Sequence, residues 1–179
     1  IASGFGTERC LKYIQENSNN KILAQTKLGS GGSTKSIILH GFTRNSINFV
    51  NNLPQNDFKI IGIVDGDFAC FNAMGFNIEE IDNYQQKNGS LEGISKLVNK
   101  PEEVLSKRCD IFVACKEQLV TGAMAENLNC KLIVEAANLP LKSEAISIVR
   151  KRGITVLPDL LSYSGGFIIS YLEWLKNLE

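Results

Sequence analysis

Five short apolar runs, each closed by turn residues and separated by segments of helical periodicity, constrain this chain more than anything else in it. They fall at residues 36–40 (Ser-Ile-Ile-Leu-His), 59–64, 110–113, 131–134 and 154–157. Runs that are apolar throughout, rather than alternating, suit strands covered on both faces, which is the environment of a parallel sheet between helical layers. Helical patterning occupies residues 8–16, 44–53, 78–86, 91–98, 121–127 and 142–152, with Gly153 as a cap and a last helix starting near Gly165. The alternation predicts an α/β fold, a doubly wound parallel sheet in a single domain. At 179 residues the chain is long enough to bury one such core.

Nineteen basic and nineteen acidic residues cancel, so no net field draws the chain to nucleic acid or to an anionic membrane. No apolar run approaches the roughly 20 residues of a membrane-spanning helix. The five cysteines, Cys10, Cys70, Cys109, Cys115 and Cys130, include no CxxC pair, and His40 is the only histidine, so the spacing offers no zinc site. Reduced core thiols in a reducing compartment are the reading that follows. The chain opens at Ile1 rather than methionine, so it is expected to be processed or cut from something longer, with no signal or transit segment to read. The Gly/Ser stretch at residues 29–36 imitates a phosphate-binding loop, but Thr34 stands at its second glycine and a strand follows where a helix is needed; it reads as a surface loop. Asn88-Gly89-Ser90 reads as a turn between helices.

Towards the end of the chain, Pro158-Asp159 is followed by Gly165-Gly166 and then by Ser170-Tyr171-Leu172-Glu173-Trp174. This order resembles the end of the cofactor domain of glutamate dehydrogenases, where Pro-Asp precedes Asn-Ala-Gly-Gly-Val and Ser-Tyr-x-Glu-Trp. Tyr163 stands at the family's asparagine. Ile133 to Pro140 resembles the family's Ala-Glu-Gly-Ala-Asn-Gly-Pro, with Ala136 and Leu139 in place of glycines, and Ala2-Ser3-Gly4-Phe5-Gly6 resembles a Thr-Gly-Arg-Gly segment. The resemblance spans Ser3 to Asn177. It implies a Rossmann-like domain, NAD or NADP as cofactor, and the family reaction of oxidative deamination of glutamate. It also implies partners that are copies of the chain or protein subunits of a larger assembly, no nucleic acid, and an address in the mitochondrial matrix or the cytoplasm.

A Rossmann domain rests the cofactor's diphosphate on a helix N-terminus, and its loop glycines leave room for that approach. Here the first strand runs into Gly41-Phe42-Thr43-Arg44-Asn45-Ser46, where the family shows Gly-Phe-Gly-Asn-Val-Gly. Thr43 stands where the backbone should come closest to the diphosphate. Arg44 fits either a phosphate contact or a solvated helix start. The family's ribose acceptor aligns on Ile63 or Val64, both apolar, while Asp65 fits either a substitute acceptor or the start of a turn. Asn138 matches the family asparagine near the nicotinamide, and Ser170 matches a serine that touches the substrate's side-chain carboxylate, or else packs as an ordinary helix serine. The resemblance thus assigns cofactor binding to Ser3, Gly41, Phe42, Thr43, Arg44, Asn45, Asp65 and Asn138, and substrate binding to Ser170. It assigns no catalytic residue, because the family's lysine and aspartate belong to a separate N-terminal substrate domain that these residues do not include. The expectation is a glutamate dehydrogenase-like cofactor domain, degenerate in its loop and serving as a non-catalytic structural subunit. The alternatives are the cofactor half of a working dehydrogenase and a sensor that binds a nucleotide weakly.

Overall fold

A computed structural model describes residues 2–17, 28, 33–54, 56–94 and 100–177. In chain order the elements are α1 (Ala2–Glu16), β1 (Lys35–His40), α2 (Arg44–Asn52), β2 (Phe58–Asp65), β3 (Phe68–Phe71), α3 (Ile78–Asn88), α4 (Pro101–Leu105), β4 (Ile111–Ala114), α5 (Gly122–Asn127), β5 (Leu132–Glu135), α6 (Ser143–Lys151), β6 (Thr155–Leu157), α7 (Asp159–Ser162) and α8 (Gly165–Lys176). Among the described residues the strands form one six-stranded sheet in the order β3-β2-β1-β4-β5-β6. Ile37, Ile38 and Leu39 of β1 are all fully buried, so neighbouring residues of one strand serve two cores. Ile37, Leu39, Ile63 and Val113 pack with Leu11 of α1 and Phe49 of α2. Ile38, Val64, Phe112 and Ile133 pack with Val104 of α4 and Val149 of α6. Continuous apolarity in the strands is the sequence trace of this double covering.

Each of the five runs is a strand, and β1, β2, β4, β5 and β6 pair in parallel. The expectation of a wholly parallel sheet is corrected at one edge, where β3 pairs antiparallel with β2. Asp65-Gly66 begins that hairpin's turn, with Gly66 at φ +61°. The first helix starts at Ala2, six residues before the predicted position 8. The predicted helix at residues 91–98 is not found at 91–94, which form a turn with Gly93 at φ +81°, and residues 95–99 lie outside the described residues. Of the Gly/Ser stretch, residues 29–32 also lie outside them, and β1 already begins at Lys35. α4 and α7, of five and four residues, were not expected. Gly153, at φ +67°, ends α6 as predicted.

At the N-terminal ends of the strands one carboxylate fixes three elements. Asp110 Oδ2 accepts from the Ser36 N–H and hydroxyl, both at 2.9 Å, and its Oδ1 accepts from Lys131 Nζ at 2.6 Å. At the opposite, C-terminal ends, β1 has β2 on one side and β4 on the other. Open sheets of this kind bind their ligands at such a reversal of strand order.

Candidate functional site

The reversal point is built around Gly41, whose N–H donates to Val64 O at 2.7 Å and whose φ is +101°. Phe42 turns inward and is 4% exposed, so it is a core residue. Thr43 is the N-cap of α2, at φ −121° and ψ 167°. Its Oγ1 accepts from Ser46 N–H at 3.3 Å, while Ser46 Oγ accepts from Thr43 N–H at 2.7 Å and donates to Thr43 O at 2.8 Å. This is a capping box, and it satisfies two of the four amide donors that open an α-helix. The helix start therefore keeps the N–H groups of Arg44 and Asn45 for solvent or an anion.

Two side chains from other parts of the chain close over this turn. Lys116, just beyond β4, runs so near Gly41 that a Cβ built there would lie 2.8 Å from Lys116 Cγ. Its ammonium donates to Asp65 Oδ1 at the end of β2. From the far side, Tyr163 follows α7, and its OH accepts from Asn45 Nδ2 at 3.3 Å. Its ring also meets Phe167 edge-on, with centroids 6.2 Å apart. Beneath Gly41, His40 is 3% exposed and tilts against Phe112, with Nδ1 unpaired. Burial lowers its pKa to about 4, the Asp65 charge opposing and the Lys116 charge assisting. It is neutral at pH 7.

The remaining assignments lie farther along the edge. Asn138 is exposed on the loop after β5, beside Leu139 at φ +44°. That loop is held to α7 by Leu139 N–H donating to Asp159 Oδ2 at 2.9 Å, and Asp159 N–H donates to Glu135 Oε2 at 3.0 Å. Burial raises the pKa of Glu135, the Asp159 amide working against this and the Asp159 charge with it. Ser162 Oγ donates to Glu135 O, and Thr7 of α1 donates to Ser162 O at 2.9 Å. Ser3 lies in the first turn of α1, its side chain outside the described residues. The glycine beside it explains part of that segment: a Cβ on Gly4 would stand 2.7 Å from Phe49 N, so α1 and α2 touch backbone to backbone. Ser170 is exposed on α8, away from any partner in a core.

The structure therefore brings Gly41, Thr43, Asn45 and Asp65 together at one strand end, and it leaves Asn138 and Ser170 apart from them. Ile63 and Val64, on which the family's ribose acceptor aligns, are 0% and 1% exposed and belong to the two cores. Asp65 alone stands at the strand end. Sequence reasoning did not single out Lys116; its signal was a cation placed directly after the Ala114-Cys115 that ends a strand next to β1. Nor did it give a contact to Tyr163, although the residue was visible as a replacement. A cavity of about 930 Å³ opens elsewhere, between Leu53, Phe58, Phe76 and the start of α3 at Asn77.

A doubly wound, mostly parallel sheet with the Gly41 turn at its reversal of strand order makes this a Rossmann-like domain. The sequence model of the Glutamate/Leucine/Phenylalanine/Valine dehydrogenase family matches residues 11–179, and the chain belongs to that family. It is 34% identical over 166 residues to a mitochondrial glutamate dehydrogenase of Dictyostelium discoideum, covering 90% of this chain and 33% of that one. It is also 34% identical over 148 residues to an NAD-specific glutamate dehydrogenase of Peptoniphilus asaccharolyticus, covering 79% and 35%. Among solved structures, a hetero-hexameric glutamate dehydrogenase of Thermus thermophilus superposes with a TM-score of 0.80 at 24% identity, over 99% of this chain and 40% of that one. The chain thus spans about a third of the length of the curated relatives it matches.

Proposed function

We propose that this chain is a glutamate dehydrogenase-like cofactor domain that serves as a non-catalytic, structural part of a larger protein assembly in the mitochondrial matrix or the cytoplasm. The observation that carries the reading is the Thr43–Ser46 capping box. A diphosphate in the family position needs bare backbone and free amides at the start of α2, and here two hydroxyls occupy that ground and two of the amides. NAD and NADP are the cofactors of the family, and the residues present do not fit either in that position. Lys116 over Gly41 and Tyr163 against Asn45 support the same conclusion from both sides of the turn. The charged pair beside Gly41, Asp65 and Lys116, is spent on itself, which leaves it without a free acid or base. The family's catalytic lysine and aspartate are expected on a domain outside these residues.

One observation favours the alternative, the cofactor half of a working glutamate or amino-acid dehydrogenase. Arg44 is exposed at the first position of α2, where a cation can meet a phosphate. Titration with NADH and NADPH, read by energy transfer from Trp174 and by calorimetry, separates the two. The structural reading expects no saturable binding up to about 1 mM nucleotide. A dissociation constant in the micromolar range for either nucleotide overturns it. The variant Thr43→Gly/Ser46→Gly/Tyr163→Asn is expected to gain affinity.

A further inference from the structure

Two of the five cysteines meet across the sheet at the end opposite the Gly41 turn. Arg108 pairs with Asn129 and Ile111 with Leu132, both in parallel, so one register sets Cys109 beside Cys130. The contacts around them hold that register. Cys109 N–H donates to Asn129 O at 3.0 Å, and Lys131 Nζ donates to Asp110 Oδ1 at 2.6 Å. Both thiols lie on one face of the sheet, Cys109 within the core of Val104 and Val149 and Cys130 packed against it. Neighbouring strands lie about 4.8 Å apart, inside the range of roughly 4.4–6.8 Å over which a disulfide joins two Cα atoms. No other two of the five are so placed: Cys10 is in α1, Cys70 faces Ile63 across the β2–β3 hairpin, and Cys115 follows β4.

We propose that Cys109 and Cys130 form a redox latch, a pair of thiols that closes to a disulfide in the folded chain and staples the start of β4 to the start of β5. Cys130 is the point of entry, being partly exposed where Cys109 is buried. Burial pushes the Cys130 thiol up to about 12, against the nearby Arg152 charge, which lowers it. Arg152 is fixed there by Nη1 donating to Ala125 O at 2.5 Å. Burial also raises the pKa of Cys109, the charges of Cys130 and Asp110 adding to this and a backbone hydrogen bond from Ile38 opposing it. Both thiols are protonated at pH 7, so the latch closes slowly, through a small thiolate fraction. The co-reactant is a small disulfide such as oxidised glutathione. Cys130 gives its proton to water and its thiolate attacks one sulfur of that disulfide; the S–S bond breaks, one glutathione thiolate leaves, and a mixed disulfide stands on Cys130. Cys109 then gives its proton to water, attacks the Cys130 sulfur and expels the second glutathione thiolate. Two protein thiols are oxidised and one small disulfide is reduced to two thiols. The closed loop runs from Cys109 to Cys130 and carries β4, Lys116 and α5, so the cross-link restricts the unfolded chain. The latch does not depend on whether the turn at Thr43 accepts a nucleotide.

The test incubates the reduced full chain with oxidised glutathione, blocks remaining thiols, and maps tryptic peptides by mass without reduction. The peptide carrying Cys109 is expected to be joined to the one carrying Cys130. The rate of joining is expected to rise about tenfold from pH 7 to pH 8, in step with the thiolate fraction. Cys109→Ser is expected to stop at the mixed disulfide on Cys130, and Cys130→Ser to leave the Cys109 thiol unreacted. In urea the oxidised chain is expected to show an unfolding constant on the order of 100-fold smaller than the reduced chain, and dithiothreitol to reverse the difference. No link between the two peptides, a link that forms only in urea, or an oxidised chain no more stable than the reduced one overturns the inference. Glutathione on Cys109 in Cys130→Ser overturns the order of attack. The wild-type map and melts decide the matter even if a variant does not fold.

Discussion

Thr43 Oγ1 accepts from Ser46 N–H at 3.3 Å and Ser46 Oγ accepts from Thr43 N–H at 2.7 Å, so deleting either hydroxyl frees an amide at the start of α2. Thr43→Ala is expected to cost about 1 kcal/mol, the usual worth of a side-chain cap, measured as a lower urea midpoint at unchanged slope. Ser46→Ala is expected to cost more, because Ser46 is 0% exposed and its hydroxyl also donates to Thr43 O. A neutral Thr43→Ala would show that the box is not formed in solution. His40 sets a pH dependence whose sign follows from burial. Its folded pKa, about 4, lies below the ordinary 6.5, so on acidification the unfolded chain takes the proton first. Stability from this group is complete above 6.5 and is lost as pH falls from 6.5 towards 4, by at most on the order of 3 kcal/mol. His40→Leu removes that component and the unpaired Nδ1 as well. Urea melts at pH 7.5 and pH 5 should therefore converge for the variant relative to wild type. Parallel loss in both proteins would refute the assignment. At this scale the sequence was half legible. Of the two roles that it allowed Asp65, the start of a hairpin turn is realised, and the residue also holds an ion pair to a lysine 51 residues away, which the order of residues around Asp65 does not show.

Helix contacts in this fold rest on two glycines that look alike in sequence and differ in what faces them. A Cβ on Gly4 would meet Phe49 N at 2.7 Å and Asn45 O at 2.9 Å, both backbone atoms of α2. On Gly122 it would meet Glu144 Cγ at 2.8 Å and Ile148 Cδ1 at 3.2 Å, side-chain atoms of α6 that can rotate away. Alanine favours a helix over glycine by roughly 1 kcal/mol, so the sign of each substitution depends on the neighbour. Gly4→Ala is expected to destabilise by roughly 1–3 kcal/mol net, since α1 must lift from α2. Gly122→Ala is expected to be near neutral. Equal effects in chemical denaturation would contradict this packing. The same scale shows why some elements were readable and others not. Strands covered on both faces are written as unbroken apolar runs, which gave away five of six. β3 was missed because Phe68–Phe71, as short as β4 and β5, follows β2 after only two turn residues, where a parallel sheet calls for a helical crossover. In the helix expected at residues 91–98, Leu91 and Ile94 stand three apart. Leu91 is buried and Ile94 packs on the same core, but Gly93 turns the chain between them. Their spacing reflects a docked turn, not a helical face.

Across the whole molecule, burial is uneven in a way that α8 makes plain. It is an apolar helix without one buried residue: Phe167 is 65% exposed, Ile168 56%, Tyr171 58%, Leu172 56% and Trp174 57%. A helix apolar on every side is ordinarily an interior element. Leu160 and Leu161 of α7, 79% and 56% exposed, extend the surface. Patches of this kind mark contact surfaces or drive association when uncovered. This agrees with a chain that spans only about a third of its curated relatives, and with the proposal that it works inside an assembly. The Ser-Tyr-Leu-Glu-Trp order that carried the family resemblance thus lies on the least buried helix. Sequence showed its kinship but could not show that it lies uncovered among the described residues. The 179-residue chain on its own is therefore expected to bind a hydrophobic dye and to self-associate in sedimentation at concentrations of about 50 μM and above. Ile168→Glu with Leu172→Lys places opposite charges four residues apart on one face of α8 and should reduce both signals without lowering the unfolding midpoint, because neither side chain is in a core. A wild-type chain that sediments as a monomer and ignores the dye would mean that α8 is covered in solution by a packing of the chain other than the one described.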